Sequence, residues 1–222
     1  MHSSTSPCNI NTSKQKNTSI NRIIVSKLQT KIIIGIDLAG KPENPTGWTL
    51  WKNGTIKTRL IYTDNEILES IVHHKPTIIA IDAPFNLPKT GNLRKADRKM
   101  IRRGYRVFPP SLQAMRKLTL RAMKINKLIA QKGYKTIEVH PTSTRKALNM
   151  PSKDWEKIQV TLKSMGLKGD IKSRTLTPHE IDAITAALTA YLHMQNRTEA
   201  LGDEKEGYII IPKKQDGRTL QL

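Results

Sequence analysis

The run Thr77-Ile78-Ile79-Ala80-Ile81-Asp82 limits most tightly what this chain can fold into. It is apolar on both faces of an extended segment, as a central parallel strand must be when helices cover both sides of the sheet. Ile32-Ile33-Ile34-Gly35-Ile36-Asp37 is a second short apolar run with the same ending. Between the two runs, Thr46 to Trp51 and Thr55 to Tyr62 flank an Asn53-Gly54 turn, which is a hairpin signature. Three consecutive strands in an antiparallel meander follow.

Helices are expected where apolar residues recur every three or four positions. Asp64 is the expected cap of one carrying Ile67, Leu68, Ile71 and Val72 and ended by Lys75-Pro76. Ser111 is the expected cap of a long helix through Gly133, with Leu112, Met115, Leu118, Ala122, Ile125 and Ile129 on one stripe. Tyr134 to His140 then returns as a strand, helices follow near 153 to 165 and 178 to 194, and Gly207 to Pro212 reads as a terminal strand. The order β-β-β-α-β-α-β-α predicts an α/β fold: a mixed sheet, meander plus parallel strands, flanked by helices.

Residues 1 to 29 contain no acid and are rich in Ser, Thr, Asn and Lys, which predicts a flexible basic arm. Residues 30–222 are expected to form one catalytic domain with a basic helical insertion at about 84 to 110. No run of about 18 apolar residues and no secretory signal are visible, so a cytoplasmic protein without a membrane partner is expected. The single cysteine, Cys8, excludes an internal disulfide, and no Cys/His cluster has zinc-ligand spacing. The chain carries 38 Lys+Arg against 18 Asp+Glu, a formal charge of +20. That surplus predicts attraction to polyanions, nucleic acid first, with a solvated basic surface as the bland alternative.

Asp37 and Asp82 both end strands. In an open α/β sheet, functional groups gather beyond the carboxyl ends of neighbouring strands, where two acids can share a divalent cation. Each also fits a plain turn residue, so a third acid matters. Thr177-Pro178-His179-Glu180-Ile181-Asp182 supplies it. Thr177 suits the N-cap, Pro178 the first helical position and Glu180 the partner in a capping box. His179 and Asp182 share a helix face, and Ala183, Ala186, Ala187 and Ala190 form a small-residue stripe that lets the helix lie close to the sheet. Favourable interaction with the helix dipole is the competing explanation for Asp182. Glu138 lies inside an apolar strand and needs compensation, either from a metal or from a buried arginine. His140 alternates onto the same face and is read as a hydrogen-bonded structural histidine.

Residues 89 to 127 hold thirteen Lys/Arg and one acid, Asp97. On a helix near 93 to 103, Arg94, Arg98 and Arg102 form one row and Lys95, Lys99 and Arg103 the adjacent row, an arrangement suited to a phosphate backbone. Leu93, Ala96 and Met100 would be buried on the opposite side. Tyr105 and Phe108 are read first as core packing, with stacking on unpaired bases as the alternative.

These residues resemble a known family. Gly35-Ile36-Asp37-Leu38-Ala39-Gly40, Ile81-Asp82-Ala83-Pro84, Asp97-Arg98, Pro109-Pro110, Met115-Arg116, Ile137-Glu138-Val139-His140-Pro141, His179-Glu180-Ile181-Asp182-Ala183 and Leu201-Gly202-Asp203 are similar in order and spacing to domain of unknown function 429, a family of predicted nucleases. The similarity covers roughly residues 31 to 212. It implies an RNase H-like fold related to RuvC-type resolvases, with Asp37, Asp82 and Asp182 as metal ligands and Glu138 and His179 as auxiliaries. With Arg116 added to the basic rows, the expected activity is Mg²⁺-dependent hydrolysis of DNA or RNA phosphodiesters, Mn²⁺ substituting, by two ions about 4 Å apart. The alternatives are a binding protein without catalysis and, last, an actin-like or sugar-kinase ATPase. Oligomeric state is left open.

Overall fold

In the computed structural model, which describes Met1 and residues 31–222, the two apolar runs become neighbouring strands. β1 (Ile32–Asp37) pairs antiparallel with β2 (Thr46–Lys52), and β2 pairs antiparallel with β3 (Thr55–Ile61). The turn joining β2 and β3 needs positive φ at both central residues, which Asn53 (51°) and Gly54 (74°) supply. β4 (Ile78–Asp82) lies beside β1, parallel to it, and β5 (Thr136–Val139) lies parallel beside β4. Beyond β5, β8 (Gly207–Pro212) is parallel, and its hairpin partner β7 (Thr198–Asp203) closes that edge. The two-residue β6 (Lys168–Gly169) extends the other edge, giving the order β6-β3-β2-β1-β4-β5-β8-β7. The arm expected over residues 1 to 29 lies, Met1 apart, outside the described residues.

Alternation along β4 explains why it is apolar throughout. Ile79 and Ile81 face a core shared with α1 (Asp64–His74) and α3 (Gln113–Gln131), through Ile67, Ile71, Ala122, Ile125 and Ile129. Ile78 and Ala80 face the opposite core, built with α5 (Trp155–Ser164) and α7 (Pro178–Met194). α7 packs across β1, β2 and β4, and two strand glycines permit this approach. A Cβ on Gly35 would stand 2.1 Å from the Ala183 carbonyl oxygen, and one on Gly47 2.0 Å from that of His179. The alanine stripe and these glycines are thus two halves of one contact.

Several expectations needed adjustment. Thr63, not Asp64, caps α1, because its side chain and that of Glu66 form the reciprocal capping box. Ser111 does not cap α3; the N-cap is Leu112, and Ser111 Oγ instead donates to Asn92. The strand expected over 134 to 140 stops at Val139, because His140 caps the unforeseen α4 (Pro141–Ala147). The basic helix is α2 (Lys95–Arg102), and α6 (Asp170–Ser173) was likewise not foreseen. A third cluster, Ala96, Met100, Tyr105, Ala147, Leu201, Ile209 and Ile211, holds α2 against β7 and β8.

Candidate metal centre and nucleic-acid interface

Asp37 and Asp82 are register partners across the parallel β1–β4 pair. Ile33 in β1 and Ile78 and Ala80 in β4 face α7, so strand alternation sends both aspartates to that same face. The start of α7 arrives there by local chemistry. Thr177 Oγ1 accepts from the Glu180 amide, the Glu180 carboxylate accepts from the Thr177 amide at 3.0 Å, and Pro178 occupies the first turn. His179, one turn before Ala183, places Nδ1 2.7 Å from Asp37 Oδ2. Asp182 receives a hydrogen bond from Arg145 Nη1.

The electrostatics tie the three aspartates together. Burial, then the charges of Asp37 and Asp182, raise the Asp82 pKa well above the usual carboxylate range, with Arg145 opposing. Burial also raises Asp182, against the pull of Arg145 and with Asp37 adding to the rise. The hydrogen bond to Asp37 raises His179. The three carboxylates are hard oxygen donors of the kind Mg²⁺ takes, and a cation would relieve the repulsion that burdens Asp82. The residues therefore fit a divalent cation in kind. Their present contacts are different: among the described residues, no three His, Cys, Asp or Glu side chains are grouped to hold a metal ion. His179 and Arg145 already engage Asp37 and Asp182.

Glu138 follows another rule. It is aligned with Ile81 rather than Asp82, so the pleat turns it toward the opposite face. It is 4% exposed, and Arg94 donates to both its oxygens at 2.6 and 2.8 Å while the Phe85 amide donates at 2.8 Å. Burial pushes the Glu138 pKa up, and Arg94 and that amide pull it back. The compensation left open between metal and arginine is thus supplied by arginine.

Arg94 is the clearest departure from the expected phosphate-facing rows. It is 1% exposed and also bonds Asp97, so it cannot reach a nucleic-acid backbone. Burial disfavours its charge, but its bonds to Glu138 and Asp97 more than offset this and raise its pKa. The adjacent row is engaged as well. Lys95 pairs with Asp203 at 2.7 Å, Lys99 donates to the Gly202 carbonyl at 2.6 Å, and Arg103 pairs with Glu199. That row docks α2 onto β7, a strand the expected topology lacked. Arg98, Arg102 and Arg116 are exposed, Arg98 donating to the Leu93 carbonyl at 2.7 Å.

A cavity of about 190 Å³ opens over the strand ends, lined by Asp37, Asp82, Glu138, Arg94, His140 and Phe108 among others. Asp182 is not in its lining. His140 accepts from the Ser143 amide at 3.3 Å, as expected of a structural histidine, and burial followed by nearby Arg145 lowers its pKa to about 4. Sequence patterns missed Arg145. The Pro141 that opens α4 was the available signal, since proline after a strand-end residue suits a first helical turn.

The meander β3-β2-β1 continued by parallel β4 and β5, with helices on both faces and acids at the strand ends, defines an RNase H-like protein. The chain belongs to the family described as protein of unknown function (DUF429), whose model matches residues 35–207. No curated protein matches it. Among solved structures it is similar to T. thermophilus RuvC in complex with Holliday junction substrate, at 15% identity and a TM-score of 0.48, over 74% of this chain and 96% of that one. It is also similar to a second Thermus thermophilus RuvC structure, at 18% identity and a TM-score of 0.43, over the same shares of the two chains.

Proposed function

We propose that the protein is a divalent-metal-dependent nuclease that hydrolyses phosphodiester bonds of DNA or RNA. The observation that carries this is the register of Asp37 with Asp82 on the sheet face where α7 delivers Asp182. Mg²⁺, with Mn²⁺ as substitute, would be held by Asp37, Asp82 and Asp182. Bound there, the cation would supply activation of water and neutralisation of charge on the departing 3′ oxygen, chemistry that leaves a 5′ phosphate on the product.

The chain's own groups have separate tasks in this scheme. His179 orients Asp37, and Arg145 holds Asp182 within its salt bridge. Glu138 fixes Arg94 and the Phe85 amide, shaping the loop after β4 rather than acting as a ligand. Arg98, Arg102 and Arg116, exposed around this loop and the start of α3, contact backbone phosphates. Purified protein incubated with structured DNA, RNA and hybrids plus Mg²⁺ or Mn²⁺ is expected to cut, and Asp37→Asn and Asp82→Asn to abolish cutting. An Asp37→Asn protein as active as wild type eliminates the assignment.

A second reading, nucleic-acid binding without catalysis, is favoured by one observation: Arg145 and His179 already satisfy two of the three aspartates. Calorimetric titration with Mn²⁺ separates the two. Cation binding that Asp82→Asn removes supports the nuclease, whereas salt-dependent nucleic-acid affinity with no cation binding leaves only the binder.

A further inference from the structure

The chain has two phenylalanines, and they sit in opposite settings. Phe85 is partly buried against the core of α1 and α3. Phe108 is 71% exposed, yet it lines the cavity that holds Asp37 and Asp82. A lone exposed apolar side chain is ordinary on a protein surface and signifies nothing by itself. The position and support of Phe108 set it apart. Val107, Met115 and Leu118 join it to make part of the cavity lining apolar, beside the strand-end acids.

The segment carrying Phe108 is anchored on both sides. Tyr105 is 3% exposed and packs in the cluster that holds α2 to β7 and β8, and its amide donates to the Met100 carbonyl at 3.0 Å. Val107 packs against that same cluster. Pro109 and Pro110 follow, their rings fixing φ; Pro110 is buried, and the Leu112 amide donates to the Pro109 carbonyl at 3.1 Å. The backbone is therefore held while the ring projects, an arrangement that loses little conformational freedom when something stacks on it. The exposed Arg106 stands two residues away.

We propose that Phe108 is a stacking platform for an unpaired base, and that the site takes single-stranded or locally unpaired nucleic acid with that base beside the phosphate held over Asp37 and Asp82. The inference rests on the nuclease reading for the placement of the phosphate. In a continuous duplex both faces of each base are covered by neighbours, so a ring of this kind finds a partner only where a base has left the stack. Every base offers a π-face, so the platform selects unpaired structure and is tolerant of sequence.

The test is equilibrium binding of the full-length chain in EDTA, so that no probe is cut. The probes are fluorescently labelled single-stranded DNA, single-stranded RNA and a blunt duplex of the same sequence. Phe108→Ala is expected to weaken single-strand binding by about 5- to 150-fold, the range for losing one stacked base, while leaving duplex affinity unchanged. Phe108→Trp retains single-strand affinity, and Phe108→Leu, apolar without a π-face, behaves like Phe108→Ala. Equal single-strand affinity for Phe108→Ala and wild type overturns the proposal, as does an equal loss on duplex and single strand. Cleavage is measured separately with Mg²⁺. A wild type that needs Phe108 for single strands and cuts nothing removes the nuclease reading alone; one that cuts but ignores Phe108→Ala removes this inference alone.

Discussion

Asp82 and Glu138 lie on adjacent parallel strands, one step out of register, and their surroundings are opposite. Glu138 is enclosed by its own cation, with Arg94 across both oxygens and the Phe85 amide on one of them. Asp82 is acted on by the charges of Asp37 and Asp182, and Arg145, which opposes them, is bonded to Asp182. A buried acid with a dedicated arginine holds a scaffold together. A buried acid set against other acids works against folding, and beside a cavity at a strand end it has the environment of a candidate functional group rather than of a scaffold.

The comparison breaks most visibly at Arg94. Arg94→Ala leaves Glu138 and Asp97 buried without their partner and should cost about 3–5 kcal/mol, seen as a large fall in the urea midpoint. Adding Glu138→Gln should recover part of that loss; no recovery would mean that the pair is not the source of the stability. Gly47→Ala comes next, because its Cβ would meet the His179 carbonyl oxygen at 2.0 Å and push the start of α7 from the sheet. A loss of about 1–3 kcal/mol is expected, with His179 and Asp182 displaced from Asp37 while the Arg94 cage stays intact.

Asp82→Asn should have the opposite sign. In metal-free buffer it removes a repelled carboxylate and should stabilise the fold by about 0.5–2 kcal/mol; with Mg²⁺ added it should abolish the proposed cleavage. A destabilised Asp82→Asn would show that Asp82, like Glu138, is part of the scaffold. The smallest effect concerns Glu180, two residues before Asp182. Burial pushes its pKa up, but the hydrogen bonds from Arg174 and Thr177 outweigh this and hold it below the usual glutamate range. A lowered carboxylate contributes stability that is present above the unfolded value and lost as pH falls through the folded one. Thermal melts should therefore show Glu180→Gln converging on wild type as pH falls below about 4.5 and lagging behind it above that value.

Much of the fold was legible because its signals are local. Asn53-Gly54 specifies its turn through positive φ, Thr177, Pro178 and Glu180 build a cap within four residues, and period-two alternation puts Asp37 and Asp82 on one face. The alanine stripe announced a close helix–sheet approach, which Gly35 and Gly47 complete from the other side. The site was less legible wherever a role depended on a distant partner. Arg94 looked like one more cation in a basic row, yet it meets Glu138, 44 positions away. Lys95, Lys99 and Arg103 looked alike too, until β7 brought Asp203, Gly202 and Glu199 beneath them. Tyr105 and Phe108 carried equal aromatic signals, and one is core while the other faces solvent.

Chain order and side-chain periodicity by themselves determined the meander, β4, β5 and β8, the longer flanking helices and the acids at the strand ends, because each depends on neighbours a few residues away; α4, α6, β6 and β7 lacked such a signal. Only the tertiary structure decided which acids receive a counter-charge, which cations stay at the surface and which aromatic ring projects. Those outcomes are pairings between remote segments, and a local pattern specifies the face a side chain takes without specifying what it will meet there.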